Sequence, residues 1–189
     1  MRLSKHLKED FTDSGVHKEH SPSYHFLVLN LFMSINEFNK NYQLNNSELD
    51  SKIYLMQDYL AYIVKLDGTL PLVGDSALEN ILRIQETQIV NENLLYLKTE
   101  GDKGTGFSHY CKGYLDAGVG IDKSGIFNEQ NHYFAIFSAF HSNVHKQSDD
   151  LSFVLSYDET DYFVDSGKYN FDESDKFRKY IRSTYAHNT

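Results

Sequence analysis

The chain of 189 residues has no tryptophan, a single cysteine and only two prolines. Cys111 has no second cysteine to pair with, so an internal disulfide is excluded and cysteine usage says nothing about compartment. Positive charge is also scarce: 18 Lys and Arg stand against 27 Asp and Glu, a formal charge of −9. Without a basic stripe to neutralise phosphates, nucleic acid is not an expected partner. An anionic ligand is not excluded, because the field of a local cleft outweighs the total charge. No segment approaches the ~20 apolar residues of a membrane span. The opening "MRLSKHLKEDFTDSG" lacks the apolar run of a secretory signal. There is no internal repeat and no low-complexity linker.

Aromatic side chains are plentiful, with 14 Tyr and 13 Phe within a 40% hydrophobic composition. This implies a folded chain with one sizeable core, or with parts of two domains. The first half reads as helical. Leu27, Leu31, Ile35 and Phe38 in "FLVLNLFMSINEFNKNY" recur at helical spacing and define one apolar face. Leu49, Ile53, Met56, Leu60 and Ile63 do the same in the next segment, with Ser47 as the expected N-cap. "DGTLPLVGDS" interrupts the pattern, and Ser76 is placed to cap a third helix through "ALENILRIQ".

From about residue 104 the period changes. "NHYFAIFSAF" is a continuous apolar run suited to a strand buried on both faces. "LSFVLSYDETDYFVDSG" alternates, with Leu151, Phe153 and Leu155 on one face, Ser152 and Ser156 on the other, and "DET" at a hairpin turn. Helices followed by strands define an α+β class.

The residues able to do chemistry are unevenly spread. His17, His20 and His25 crowd "DSGVHKEHSPSYH", His141 and His145 open "HSNVHKQSDDLSF", and His187 lies in "STYAHNT". "HSNVH" has the spacing of a helical metal-ligand pair but lacks the glutamate of the metalloprotease motif, and the residues after it alternate like a strand. On a strand, His145 and Gln147 would share a face, with Asp165 returning beside them. Such a group reads either as ligands for a divalent cation or as a polar network at a hairpin end. Pro22, with Tyr24 and His25 just beyond it, reads either as a simple helix entry or as a helix start carrying functional side chains.

"DSGVHKEHSPSYH", "DGTLPLVGDS" and "HSNVHKQSDDLSFVLSYDETDYFVDSGKYNF" running into "RKYIRSTYAHNT" together resemble the heparinase II/III-like family of polysaccharide lyases. The resemblance implies an incomplete (α/α) toroid packed on an antiparallel β-sandwich, with the active site between them. It implies cleavage of a uronic-acid polysaccharide by β-elimination: a base removes the proton beside the uronate carboxylate, that carboxylate is neutralised, and an acid protonates the leaving oxygen. Tyr24 matches the family's catalytic tyrosine and His145 its cleft histidine. His25, Glu19 and Arg178 are candidates for substrate contact or for the supporting shell. Gln147, Asp165 and His187 fall where some relatives hold a structural zinc, with Gln147 replacing the usual histidine. The chemistry itself requires no cofactor.

The family's carboxylate-neutralising asparagine comes from a helix before the tyrosine motif, and about a dozen residues precede that motif here. The expectation is therefore a fragment of a longer lyase, partnered by the remainder of its parent chain and by an acidic polysaccharide. Residues 1–103 would be the end of the toroid and 104–189 the start of the sandwich, in the periplasm or outside the cell as the resemblance implies. The alternative is a sugar-binding or structural remnant without catalysis. Metal-dependent hydrolysis, which needs an open metal position, is disfavoured by Gln147. Lys146, Lys168, Arg178 and Arg182 are the few cations near the expected site, which points to a lightly sulfated or unsulfated polymer.

Overall fold

The computed structural model describes residues 2–127, 130–158 and 160–189. Helices α1 (Arg2–Glu9), α2 (Pro22–Asn41), α3 (Ser47–Ile63) and α4 (Glu92–Lys98) precede a sheet, and the short helix α5 (Lys176–Ile181) comes after it. The strands are β1 (Cys111–Tyr114), β2 (Val119–Ser124), β3 (His132–Phe137), β4 (Phe153–Tyr157) and β5 (Thr160–Phe163). They form an antiparallel meander in sequence order, with an irregularity between Leu155 and Ser156 where β4 meets β5. The fold is α+β, as the change of period implied.

Helix α3 is the hinge between helices and sheet. Leu49, Ile53, Met56, Leu60 and Ile63 are all buried, so the apolar stripe is the core face. Asn46, one residue before the expected Ser47, caps the helix by accepting from the Leu49 amide. Its last carbonyls have no partner within the helix and are met by side chains from the sheet. The Tyr133 hydroxyl donates to Ile63 O at 2.6 Å, and the fully buried Lys123 ammonium donates to Ala61 O and Val64 O at 2.7 and 3.2 Å. One contiguous core of buried side chains runs from α1, α2 and α3 into the inner sheet face of Tyr114, Val119, Ile121, Tyr133, Ala135 and Val154.

Three local expectations need correction. Helix α2 buries Phe26, Leu29, Phe32 and Met33, whereas Leu27, Leu31 and Phe38 are more than half exposed. The helix is apolar on two faces, and periodicity cannot say which one meets the core. Ser76 caps no helix. Its hydroxyl donates to Val73 O, and the "ALENILRIQ" stretch holds only a 3₁₀ turn, Ile81–Arg83. The next helix along the chain is α4, a different segment, capped by Asn91. Strand β3 is not buried on both faces. Tyr133, Ala135 and Phe137 point inward, while Phe134 and Ile136 lie on an outer face with Phe153 and Phe163. The β4–β5 hairpin is as expected, although Glu159 in its turn lies outside the described residues.

Candidate active site

The site forms where the start of α2, the loop at residues 73–76 and the long connection from β3 to β4 converge. Ser21 is the N-cap of α2, with extended backbone and a hydroxyl that accepts from the Tyr24 amide, and Pro22 supplies a preset first helical residue. This entry places Tyr24 in the first turn, half-buried. Its ring lies face to face with that of His145, with centroids 3.6 Å apart and planes at 15°.

His145 is not on a strand. The connection from residue 138 to 152 contains no strand or helix, and His145 has a left-handed backbone with φ of 56°. It is held from the side by Gly74 and Asp75. The Asp75 amide donates to His145 O at 3.0 Å, and its carboxylate lies 3.4 Å from His145 Nδ1. On the other edge of the ring, Glu19 lies 3.7 Å from Nε2. Phe171 meets the imidazole edge-on at 6.1 Å.

Asp75 is the hub of this network, although no sequence pattern singled it out. It is buried, and it accepts from both terminal nitrogens of Arg178, at 2.5 and 2.7 Å, and from Gln147 Nε2 at 2.8 Å. Burial alone would raise its carboxyl pKa, but the hydrogen bonds from Arg178 and Gln147 outweigh burial and hold it below the usual carboxylate value. Tyr24 is shifted the other way. Burial, and then the charges of Asp75 and Glu19, raise its phenol above the ordinary value. Glu19 is also raised, first by burial, with His145 opposing.

The remaining candidates fall into different places. His25 is buried, accepts the His17 amide at Nδ1 and bonds Met56 O through Nε2, and burial lowers its pKa to about 3. It ties α2 to α3, which fits the supporting one of the two roles expected for it. Arg178 is equally buried; of the two roles expected for it, the supporting one fits, because its fork is occupied by Asp75. Asp165 and His187 do come together, with Nδ1 at 3.0 Å from both carboxylate oxygens. Gln147 uses its amide nitrogen on Gly74 O, Asp75 and Gly167 O rather than pairing with them. Its carbonyl oxygen and His187 Nε2 are buried without a hydrogen-bond partner. Among the described residues, no group of three or more His, Cys, Asp or Glu is arranged to hold a metal ion.

His20 was noted in the sequence only as one of a cluster. Its Nε2 accepts the amides of His141 and Ser142, at 2.8 and 3.3 Å, and so pins the loop that carries His145. An open groove of about 560 Å³ begins at the residues after His145 and is lined by Lys146, Gln147, Glu173, Lys179 and Arg182.

A tyrosine at a helix start is thus stacked on a histidine from a sheet connection, where the helices meet the antiparallel sheet. Residues 116–189 match the family described as Heparinase II/III-like, C-terminal. The resemblance drawn from the motifs therefore holds. The match includes His145, Gln147, Asp165, Arg178 and His187, and leaves Tyr24, Glu19 and His25 outside. Among solved structures, the whole fold resembles a heparinase III gene product (TM-score 0.88, 23% identity, 100% of this chain and 31% of that one). It is also similar to the heparan sulfate lyase HepC from Pedobacter heparinus (0.86, 23%, 99% and 31%) and to a further heparinase III (0.86, 21%, 99% and 33%). The chain thus spans about a third of the length of these structures. No curated protein matches it. Among the described residues, no helix is long and apolar enough to cross a membrane.

Proposed function

We propose that the chain is the cleft-forming portion of a longer polysaccharide lyase that cuts a uronic-acid glycan by β-elimination. On this reading residues 1–103 close an (α/α) toroid, residues 104–189 open a β-sandwich, and the parent enzyme works in the periplasm or outside the cell. The observation that carries the proposal is the contact of Tyr24 and His145, brought together from positions 24 and 145 of the chain at 3.6 Å. Elimination needs a proton acceptor and a proton donor on one small patch of substrate. The raised phenol of Tyr24 is an O–H at neutral pH, suited to protonate the leaving glycosidic oxygen. His145 Nε2, on the edge of the ring away from Asp75, then takes the proton beside the uronate carboxylate. Glu19 stands next to that nitrogen, at 3.7 Å, and orients a sugar hydroxyl. The group that neutralises the carboxylate comes from the rest of the parent enzyme.

The cations of the site favour a lightly sulfated or unsulfated polymer. Lys146 is paired with Asp149 and Asp150, Arg178 with Asp75, and Arg182 with Glu173, while Lys168 lies over the Phe171 ring. A sulfate would have to compete with a resident carboxylate for three of these four. Gln147, Asp165 and His187 are the residues that would hold a structural divalent cation. The free Gln147 carbonyl oxygen and His187 Nε2 fit such a role, with the Asp165 carboxylate beside them. A cation there would tie the β3–β4 connection to the end of the chain without entering the reaction.

An ultraviolet time course with a panel of uronate polysaccharides, on the parent enzyme and its Tyr24→Phe variant, tests the assignment. Elimination leaves an absorbing unsaturated uronate, and hydrolysis leaves none. Absorbance from the parent and a loss of about 10²–10⁴-fold in the folded variant are expected. Undiminished activity in Tyr24→Phe removes the tyrosine from its role, and silence from the folded parent on every polymer sinks the lyase reading. Zinc calorimetry on the chain and on His187→Ala tests the cation separately: no binding to either removes it.

A further inference from the structure

We propose that Asp75 is the positioning residue of His145, locking the imidazole so that its proton sits on Nδ1 and its lone pair on Nε2 faces the cleft, and that Arg178 acts through Asp75. As a functional role this rests on the lyase reading above. As a structural statement it stands on the geometry alone.

His145 lies in a connection without secondary structure, so its ring needs an external anchor. Asp75 provides two, one to the main chain through its amide at 3.0 Å and one toward the ring through its carboxylate at 3.4 Å. Gly74 makes this approach possible. It has a left-handed φ of 58°, and an added Cβ would sit 2.7 Å from His20 O and 2.8 Å from His145 O. Only a residue without a side chain lets the 73–76 loop pass between those two backbones. The direction of the Asp75 carboxylate is in turn set by the planar fork of Arg178 and by Gln147 Nε2.

An ionised carboxylate can only accept, so the ring nitrogen facing it must donate. That assigns the imidazole proton to Nδ1. Glu19, at 3.7 Å from the opposite nitrogen, is beyond hydrogen-bond distance, so that nitrogen is left as an acceptor beside the Tyr24 ring. A buried aspartate that orients a histidine in one tautomer is a general device of proton-transfer sites. Asp75 touches no substrate in this scheme.

The test is a long-range ¹H–¹⁵N correlation spectrum of the His145 ring in the ¹⁵N-labelled chain and in Asp75→Asn. The wild type is expected to show the Nδ1–H tautomer. In Asp75→Asn the amide can donate to Nδ1, and the spectrum is expected to move to the Nε2–H form. In the parent enzyme the same substitution lowers kcat about a hundredfold with little change in KM. An Nε2–H tautomer in the wild type, or an unchanged tautomer in folded Asp75→Asn, overturns the proposal. Should that variant fail to fold, Arg178→Lys keeps the charge without the fork. Shifted His145 ring resonances then support the anchor, and identical ones overturn it. A tautomer switch in a chain whose parent shows no elimination would leave the anchor standing and remove the lyase reading; elimination with no switch would do the reverse.

Discussion

Replacing Arg178 with Met separates the buried ion pair from mere packing. Methionine fills much of the volume of the arginine stem, so little of the loss comes from a cavity. What disappears is the fork on Asp75, two charge-assisted hydrogen bonds of 2.5 and 2.7 Å. Removing one partner of a buried pair costs about 3–5 kcal/mol, because the other charge stays buried. Asp75 keeps Gln147 Nε2 and its contact with His145, which brings the expectation to the low end, about 3 kcal/mol. Urea denaturation of the chain at pH 7 reads this directly as a shift in midpoint at constant slope. The pH dependence gives a second check. The folded Asp75 carboxyl is held below its ordinary value, so the stability it contributes is present above about pH 4 and is lost as pH falls through the folded value. The gap between wild type and variant should therefore be full at pH 7 and narrower at pH 3. A gap below about 1 kcal/mol at pH 7, or one that does not shrink in acid, refutes the assignment of Arg178 to Asp75.

Three further outcomes are expected from the pattern of burial and contact. His17, His20 and His25 are held by burial to about 4, 4 and 3, against about 6.5 when unfolded, so the native state binds fewer protons in between. Stability should fall as pH drops from 6.5 toward 4 with net proton uptake on unfolding; denaturation that is equally hard at pH 7 and pH 5 contradicts their burial as neutral rings. Gly74→Ala should cost about 2 kcal/mol or more, since the added carbon meets two backbone oxygens at a left-handed position, whereas Gly113→Ala, meeting only the Leu115 side chain, should be nearly silent. Equal effects from the two would deny the close passage of the 73–76 loop. Leu29→Ala should cost about 2–5 kcal/mol and Leu31→Ala within about 0.5, because the first is fully buried and the second is 55% exposed. A reversal in thermal melts would restore the stripe read from periodicity as the core face.

Local pattern was enough where one face of an element decides its burial. The α3 stripe is of this kind and lies against the core as its period implies, whereas β4 turns Val154 to the core and leaves Phe153 and Leu155, the apolar face read from its alternation, on the outer side. The same reasoning failed on α2, where apolar residues cover two faces and the choice between them belongs to the neighbouring helix. It failed again on the β3–β4 connection. There alternation across "HKQSDDLSF" suggested a strand, yet residues 138–152 are shaped by distant contacts, including His20 on the amides of His141 and Ser142. Asp75 was invisible for a related reason. It sits in an aperiodic loop, and its partners His145 and Arg178 lie 70 and 103 residues away. The pairing of Tyr24 with His145 was legible only through the motifs that resemble the family. No spacing rule relates two such distant residues.

The parts that escaped the pattern are the parts that make the site. Tyr24 gains its place from an ordinary helix entry, and on that account alone it would be a surface phenol. The imidazole stacked on it, at 3.6 Å, comes from a connection with no regular structure of its own. What converts that connection into a fixed wall is a chain of buried contacts running from Arg178 through Asp75 to His145. Each link neutralises the one before it: the guanidinium compensates the buried carboxylate, and the carboxylate orients the ring. Remove the arginine and the aspartate keeps only Gln147 Nε2 and the His145 ring as partners for its buried charge, and its direction toward Nδ1 is no longer fixed by the fork. The proton position on His145 is thus set some distance from the cleft, by a residue that never reaches it.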